Sequence, residues 1–389
     1  MLADIAIGAN AERARNHNRQ VVLRRVRAAE SIGRAEIARA SGLSTQAVSN
    51  IIANLLDDAL IVECGRRAAG RGLPAVQYAL NPAGGYAIGV EIRPAAVFAT
   101  MLNMCGECVA AERRALGATD RETVTHTVRD LTRQVAAAGN VGSGRIMGAG
   151  IVMPGPFGET GIRDAGSELP HWGDSPVDAW FSAALGLPVL VENDANAAAM
   201  AERVRGVAQG LGNFALLYFG TGLGLGVVCD GALVTGAYGN AGEIGHLMVP
   251  AGGRYVALES LVSRNAVQRS LAETGIVAAT VDDLERLCSA SEPALTNWLD
   301  RAAEPLSAAV GIVENLFDPE TVILGGAMPD CLLDRLIGAV RLPGHSVSNR
   351  GDRRHPRLMR GASGRMTATL GAAALVLEQA FVPKITVAT

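Results

Sequence analysis

The period of the hydrophobic positions changes several times along the chain. From Gln20 the run QVVLRRVRAAE puts Val22, Leu23 and Val26 on one side of a helix, because residues three and four apart share a face. Ser31-Ile32-Gly33 interrupts it. In the following GRAEIARASGLSTQAVSNIIANLLDDALI, Ile37 and Ala38 fall on one helix and Gly42 supplies a tight turn. Ser44 is placed to cap a second helix whose Val48, Ile51, Ile52 and Leu55 face inward. Residues 61–64 and 76–80 read as two short strands around GRRAAGRGLP.

Past a boundary marked by Pro82 and Gly84-Gly85, apolar strands alternate with amphipathic helices. Strands are expected at 86–90, 97–102, 147–153, 189–191 and 214–218, with a buried one at 322–324. Helices are expected at 123–138 and 177–185, from Ala195 onward, and within 258–274 and 294–317. Such alternation predicts an α/β body of sheets flanked by helices, in two lobes. The first nine residues and 381–389 read as loose ends.

Composition refines this picture only slightly. A chain of 389 residues, 49% hydrophobic with a net charge of −3, implies two or three soluble domains. No apolar run is long enough to span a membrane and no signal peptide is recognisable, which predicts a cytoplasmic protein. Six scattered cysteines agree with a reducing compartment. Cys105-Gly-Glu-Cys108 is a lone Cys-x-x-Cys in the turn after the second strand of the body. No second pair completes a zinc site.

Charge is more informative, because it is uneven. Residues 1–80 hold 11 Arg against 7 acidic residues, a balance of +4, so the rest carries −7. A basic head on an acidic body predicts an anionic partner for the head alone. The spacing of Ala38, Gly42 and Val48 is that of a helix-turn-helix. It leaves Ser44, Thr45, Gln46, Ser49 and Asn50 on the outer face of the second helix, able to reach base edges and phosphates in a major groove. Arg66, Arg67 and Arg71 would form the tip of a wing, with Arg71 reaching a minor groove. The competing reading of the head is a small helical domain for protein contacts, with solvated arginines.

The chemistry of the body concentrates in residues 191–246. VENDANAAAMAE supplies Asn193 and Asp194, FGTGLGLG a glycine-rich turn at 220–226, and GNAGEIGH supplies Glu243 and His246. Asn, Asp, Glu and His are suited to a ring of hydroxyl groups, each needing a donor and an acceptor in place. Glycine-rich turns after strands let backbone N–H groups approach phosphates. Lys384 is the only lysine, which excludes a lysine-dependent phosphate loop.

With GIVMPGPFG (150–158), LPVLVENDANAAAMAE, FGTGLGLGVVCDGALVTGAYGNAGEIGH and ILGGAM (323–328), the chain resembles the ROK family of repressors, open reading frames and kinases. The likeness covers residues from about 15 to 380, and is to members with an N-terminal winged helix. It implies a winged helix-turn-helix at 1–82, then a two-lobed actin-like ATPase (ribonuclease H-like) sugar-kinase fold. The small lobe would take 83–201, completed by a C-terminal helix at 365–380, and the large lobe 202–364. The resemblance makes Asp194 the general base of a kinase, if activity remains. It assigns sugar hydroxyl contacts to Asn193, Glu243, His246 and Glu259 of ALESLVS, and lays residues 158–177, with Asp164 and Trp172-Gly173, along the sugar.

Two departures shape the expected function. Where family kinases carry Asp-x-Gly-Gly-Thr for ATP phosphates, this chain has Glu91-Ile92-Arg93-Pro94-Ala95. Proline has no N–H to donate, and bulk stands where backbone should approach a ligand. Many relatives also bear a zinc-binding Cys-x-Cys-Gly-x-x-Gly-Cys after the Gly-His. Here LMVPAGGRYVAL holds no cysteine, so no zinc is expected, and ATP is not expected as a cofactor either. The resulting expectation is a sugar-responsive repressor that binds palindromic operator DNA as a dimer, the protein itself being a homodimer or homotetramer. It would hold a monosaccharide or sugar phosphate without transforming it. A sugar kinase that also binds DNA is the alternative, and a scaffold whose head contacts protein is a third.

Overall fold

The computed structural model describes residues 11–68, 74–153 and 176–381. The chain opens with α1 (Ala11–Arg27), β1 (Ile32–Gly33), α2 (Arg34–Ser41), α3 (Thr45–Asp57), β2 (Ile61–Arg67) and β3 (Ala75–Leu80). Val22, Leu23, Val26, Ile37, Val48, Ile52 and Leu55 are buried together, as their spacing requires, while Ile51 is half-buried. Gly42 ends α2 with φ of 72°, a left-handed cap that glycine adopts without steric cost. Ser44 Oγ accepts a hydrogen bond from the Ala47 N–H at 3.2 Å and starts α3.

Strands pair in the order β1-β3-β2, all antiparallel, which completes a winged helix. The wing differs from the expectation. The register slips between Glu63 and Arg66, where Gly65 takes φ of 124°, and this bulge lets β2 run on through Arg67. Arg66 and Arg67 therefore lie within the strand, opposite Val76 and Ala75, and not at the hairpin tip. Arg71 lies outside the described residues. Two-residue β1 has no period to read, and pairing with β3 alone creates it.

The first sheet of the body comprises β4 (Tyr86–Arg93), β5 (Ala96–Asn103), β6 (Cys108–Ala115), β7 (Ile146–Val152) and β8 (Val189–Glu192), in the order β6-β5-β4-β7-β8. Its outer face is covered by α4 (Arg121–Ala138) and α5 (Val177–Leu185), which bury Val124, Val128, Leu131, Val135 and Phe181 against Ile88, Val90 and Ile92. Strand β6 escapes the sequence pattern because it is an exposed edge, without an apolar alternation. Cys108 begins this strand and does not lie in the turn before it.

The second half contains α6 (Asp194–Arg205), β9 (Phe214–Phe219), β10 (Leu223–Cys229), β11 (Ala232–Leu233), β12 (Met248–Ala251), β13 (Arg254–Ala257), α7 (Arg264–Ala272), α8 (Val281–Ser289) and α9 (Pro293–Phe317). It ends with β14 (Thr321–Gly326), α10 (Asp330–Ala339), β15 (Leu358–Arg360) and α11 (Thr367–Phe381). The second sheet runs β11-β10-β9-β14-β15, and α7 to α10 pack their apolar residues into one core with its outer face.

Between the two sheets lie α6 and α11, packed on each other, with α11 against β4 and β7 and α6 against β10. Alanine and glycine make this possible. A Cβ on Gly226 of β10 would stand 2.4 Å from the Ala195 carbonyl oxygen, and one on Gly150 of β7 1.9 Å from that of Ala372. The expected glycine-rich turn at 220–226 is thus mostly strand: only 220–222 turn, and Gly224 and Gly226 are the surface on which α6 rests. Phe381 is another correction. It ends α11 as a buried side chain packed among residues of the head, and is not a loose end. Two sheets with a helix pair between them and helices outside form the actin-like architecture expected.

Candidate functional site

A cleft of about 1350 Å³ opens between the sheets, at the C-terminal ends of β4, β7 and β9 and the start of α6. Asn193, Asp194, Glu243, His246 and Glu259 all line it. Asn193 is the N-cap of α6, its Oδ1 accepting from the Asn196 N–H at 2.7 Å, which leaves its amide nitrogen as the group to offer a ligand. Asp194 follows at the first helical position. A Cβ on Gly220 would come 3.0 Å from Asp194 Oδ2, so the glycine makes room for the carboxylate. Burial, with Glu91 and Glu243 adding repulsion, pushes the pKa of Asp194 up to about 7.

Glu243 and His246 flank a single 3-10 turn, His246 Nε2 standing 3.8 Å from Glu243 Oε2. Burial lifts the Glu243 carboxyl above its usual range, His246 opposing and Glu259 adding to the effect. Glu259 arrives by a route that differs from the zinc loop of the resemblance. Residues 248–257 form the β12–β13 hairpin, turned by Gly252 and Gly253 with φ of 57° and 77°. Two left-handed residues in succession are what a tight hairpin turn needs. The Leu258 N–H then donates to the Leu247 carbonyl at 2.8 Å, and a 3-10 turn at Leu258–Ser260 presents Glu259. Its Oε2 lies in the space that side chains on Gly222 or Gly245 would occupy.

The loop between β4 and β5 forms another wall of the cleft. Arg93 Nε donates to Glu91 Oε1 at 2.6 Å, and Thr369 Oγ1 of α11 donates to Glu91 Oε2 at 2.6 Å. The Arg93 guanidinium also stacks 4.5 Å from the centre of the Phe98 ring. Arg93 and Pro94 line the cleft themselves. Sequence reasoning missed Tyr218, Arg264 and Arg365, which also line it. Tyr218 reads as one more core residue in FALLYF, and burial beside Glu91 and Asp194 holds its phenol protonated, its pKa well above the usual value. Arg264 NH2 reaches Thr221 Oγ1 at 3.5 Å, and Arg365 pairs with Asp282 and Glu285 of α8. Neither arginine carries a signal in the sequence beyond its neighbours. Asp164 and Trp172-Gly173 lie outside the described residues, as does most of the 150–158 motif.

In the head, Ser44, Thr45, Gln46 and Asn50 are exposed along one side of α3, and Ser49 is half-buried. Gln46 Nε2 donates to Asn50 Oδ1 at 3.1 Å, which pre-orients both amides. Arg66 is exposed, whereas Arg67 is paired with Glu36 of α2. Glu36 in turn accepts from the Gly33 N–H at 3.0 Å, so Arg67 fastens the wing to the helix-turn-helix. Among the described residues, no cluster of three or more His, Cys, Asp or Glu is arranged to hold a metal.

The ROK family model matches residues 87–379. The chain belongs to the ROK family. It is 24% identical over 313 residues to the xylose repressor of Bacillus subtilis, a match covering 79% of this chain and 81% of that protein. The crystal structure of a ROK family transcriptional regulator, a homologue of the E. coli MLC protein, superposes with a TM-score of 0.74 at 23% identity. That match covers 95% of this chain and 97% of the regulator, so the fold is shared from head to body. The ROK hexokinase of Thermus thermophilus superposes with a TM-score of 0.59 at 27% identity, covering 75% of this chain and 97% of the hexokinase. A ROK body alone thus accounts for the kinase likeness. No helix among the described residues is long and apolar enough to cross a membrane.

Proposed function

We propose that this ROK protein is a sugar-responsive transcriptional repressor. Its winged helices bind palindromic operator DNA as a dimer, and its cleft binds a monosaccharide or sugar phosphate without transferring phosphate. One observation carries this reading. Five side chains suited to a polyol, Asn193, Asp194, Glu243, His246 and Glu259, line one cleft, while the Glu91–Arg93 pair and Pro94 occupy the loop where family kinases would hold nucleotide phosphates. Phosphoryl transfer depends on positioned N–H donors and on charge stabilisation, so a ligand held here is bound rather than phosphorylated. We take the residues around 91–95 not to fit ATP, and His246, without thiolates near it, not to fit a structural zinc.

The relatives named as xylose repressors make D-xylose the first sugar to test. Fluorescence anisotropy on DNA from upstream of the protein's own gene, repeated with D-xylose, other monosaccharides and their phosphates, is the direct experiment. Tight binding altered by one of them is expected. DNA binding that no sugar or sugar phosphate alters would overturn the sugar-responsive part.

A kinase that also binds DNA is favoured by one feature, the carboxylate of Asp194 with its pKa near neutrality beside Gly220. Sugar-dependent ATP hydrolysis that vanishes in Asp194→Asn would establish that alternative.

A further inference from the structure

Head and body meet through a charged cluster that neither the cleft nor the DNA-facing side of α3 requires. Arg27 ends α1, with its guanidinium 2.6 Å from Glu378 Oε1 of α11 and 4.3 Å from the centre of the Phe381 ring. Arg203, in the last turn of α6, stands 3.8 Å from Glu378 Oε2. Side-chain exposures of 24% for Arg27, 17% for Arg203 and 8% for Glu378 remove this trio from full solvent screening. Arg24 of α1 is close enough to repel Arg203. Glu378 is thus the carboxylate that both arginines share, beside an apolar contact in which Phe381 and Met104 of the body join the core of the head, while Arg203 also donates to the Gly231 carbonyl.

Both helices that meet at Glu378 start at the cleft. α6 opens with Asn193 and Asp194, and α11 places Thr369 on Glu91, the partner of Arg93. Neither helix has room to slip past its neighbours. A Cβ on Gly371 would lie 1.7 Å from the Ala197 carbonyl oxygen, and one on Gly89 2.1 Å from that of Thr369. Backbone rests on backbone, so a displacement at the start of α6 is carried about 14 Å along the helix to Arg203.

We propose that Glu378 is the positioning residue through which the cleft sets the orientation of the head, Arg27 following Glu378 and Glu378 following the α6/α11 pair. The proposal rests on the reading above that the head binds DNA and the cleft a ligand. Its test needs neither.

Amide hydrogen exchange in the full chain is followed over residues 14–29 and 367–381 in wild type, Asp194→Asn, Glu378→Gln and the double variant. Glu378→Gln leaves Arg24, Arg27 and Arg203 facing one another, and exchange at 24–29 is expected to rise about tenfold, within the range of site-to-site couplings. Asp194→Asn, made at the far end of α6, is expected to shift exchange at 24–29 in wild type and to do nothing further in the Glu378→Gln background. An equal effect in both backgrounds, or none in either, would overturn the proposal. Arg27→Gln, which removes the contact from the head's side, keeps the question answerable if Glu378→Gln fails to fold. Absence of DNA or sugar binding in the anisotropy experiment would sink the repressor reading and leave this result standing.

Discussion

Asp194 is the residue at which the physics of the site is most exposed to measurement. Its carboxyl is neutral below about pH 7, because burial and Glu91 disfavour the charge. A free carboxyl in the unfolded chain titrates near 3.9, so the native state holds an extra proton between the two values. Stability from this group is therefore fully present below the unfolded pKa and is lost as pH rises toward 7. Asp194→Asn is expected to flatten that part of the stability curve, as thermal melts from pH 4 to 8 would reveal. A ligand hydroxyl that donates to Asp194 needs the carboxylate. Affinity should then tighten with pH up to about 7 and level off, and the Asn variant should bind about 10- to 150-fold more weakly, the cost of a charged hydrogen bond. Titration calorimetry at pH 6 and 8 checks both.

A second residue tests the frame behind the cleft. Buried Glu202 of α6 accepts hydrogen bonds from the N–H groups of Val207 (2.9 Å), Ala362 (3.2 Å) and Ser363 (2.8 Å), tying α6 to the segment that leads into α11. Glu202→Gln turns one acceptor oxygen into a donor facing other donors. A loss of about 2–3 kcal/mol is expected in urea unfolding.

At the scale of elements, the contacts that matter are those where glycine lets two backbones touch. Gly150→Ala forces a Cβ to 1.9 Å from the Ala372 carbonyl oxygen, so α11 must move off β7. A loss of 3 kcal/mol or more, or failure to fold, is expected, since overpacking of this kind has no side chain to rotate away. Gly117 has open space around it and no left-handed φ. Gly117→Ala should be neutral or slightly stabilising, and the pair of melting temperatures separates packing from the intrinsic effect of alanine. In the head, Ser44→Ala removes the α3 cap and should cost about 1 kcal/mol of stability.

For the molecule as a whole, a basic winged helix carried on an acidic body predicts a partner that is read through phosphates. DNA affinity should fall steeply with salt, and Arg66→Ala should reduce the slope of log K against log salt by about 1, if Arg66 neutralises one phosphate. Arg67→Ala is expected to act differently. It breaks the pair with Glu36 and so loosens the wing, lowering stability more than it lowers the salt slope. Measuring both variants from 50 to 300 mM salt separates a phosphate contact from a fastening.

Much of this could be read from the chain alone. Val22, Leu23, Val26, Ile37, Val48, Ile52 and Leu55 betray the head because helical periodicity is a local property, and Gly42 and Ser44 mark its turn for the same reason. Asn193, Asp194, Glu243 and His246 are legible as types suited to hydroxyl groups, whereas Glu259 is reached only through the resemblance to ROK proteins. Local pattern has no access to pairing between distant segments. Strands β1 and β6 exist because of the partners they find, and the glycines of β10 look like a turn in sequence because their neighbour, α6, is absent from the local pattern. Arg67, Tyr218, Arg365 and Phe381 acquire their roles in the same way, from residues far along the chain that only folding brings within reach. Tertiary structure alone decided that Glu91 is shared between Arg93 and Thr369, and that Arg27 of the head rests on Glu378 of the last helix. Side-chain charge and hydrogen-bonding capacity are written in the sequence; which groups they meet depends on a backbone closed by contacts hundreds of residues apart.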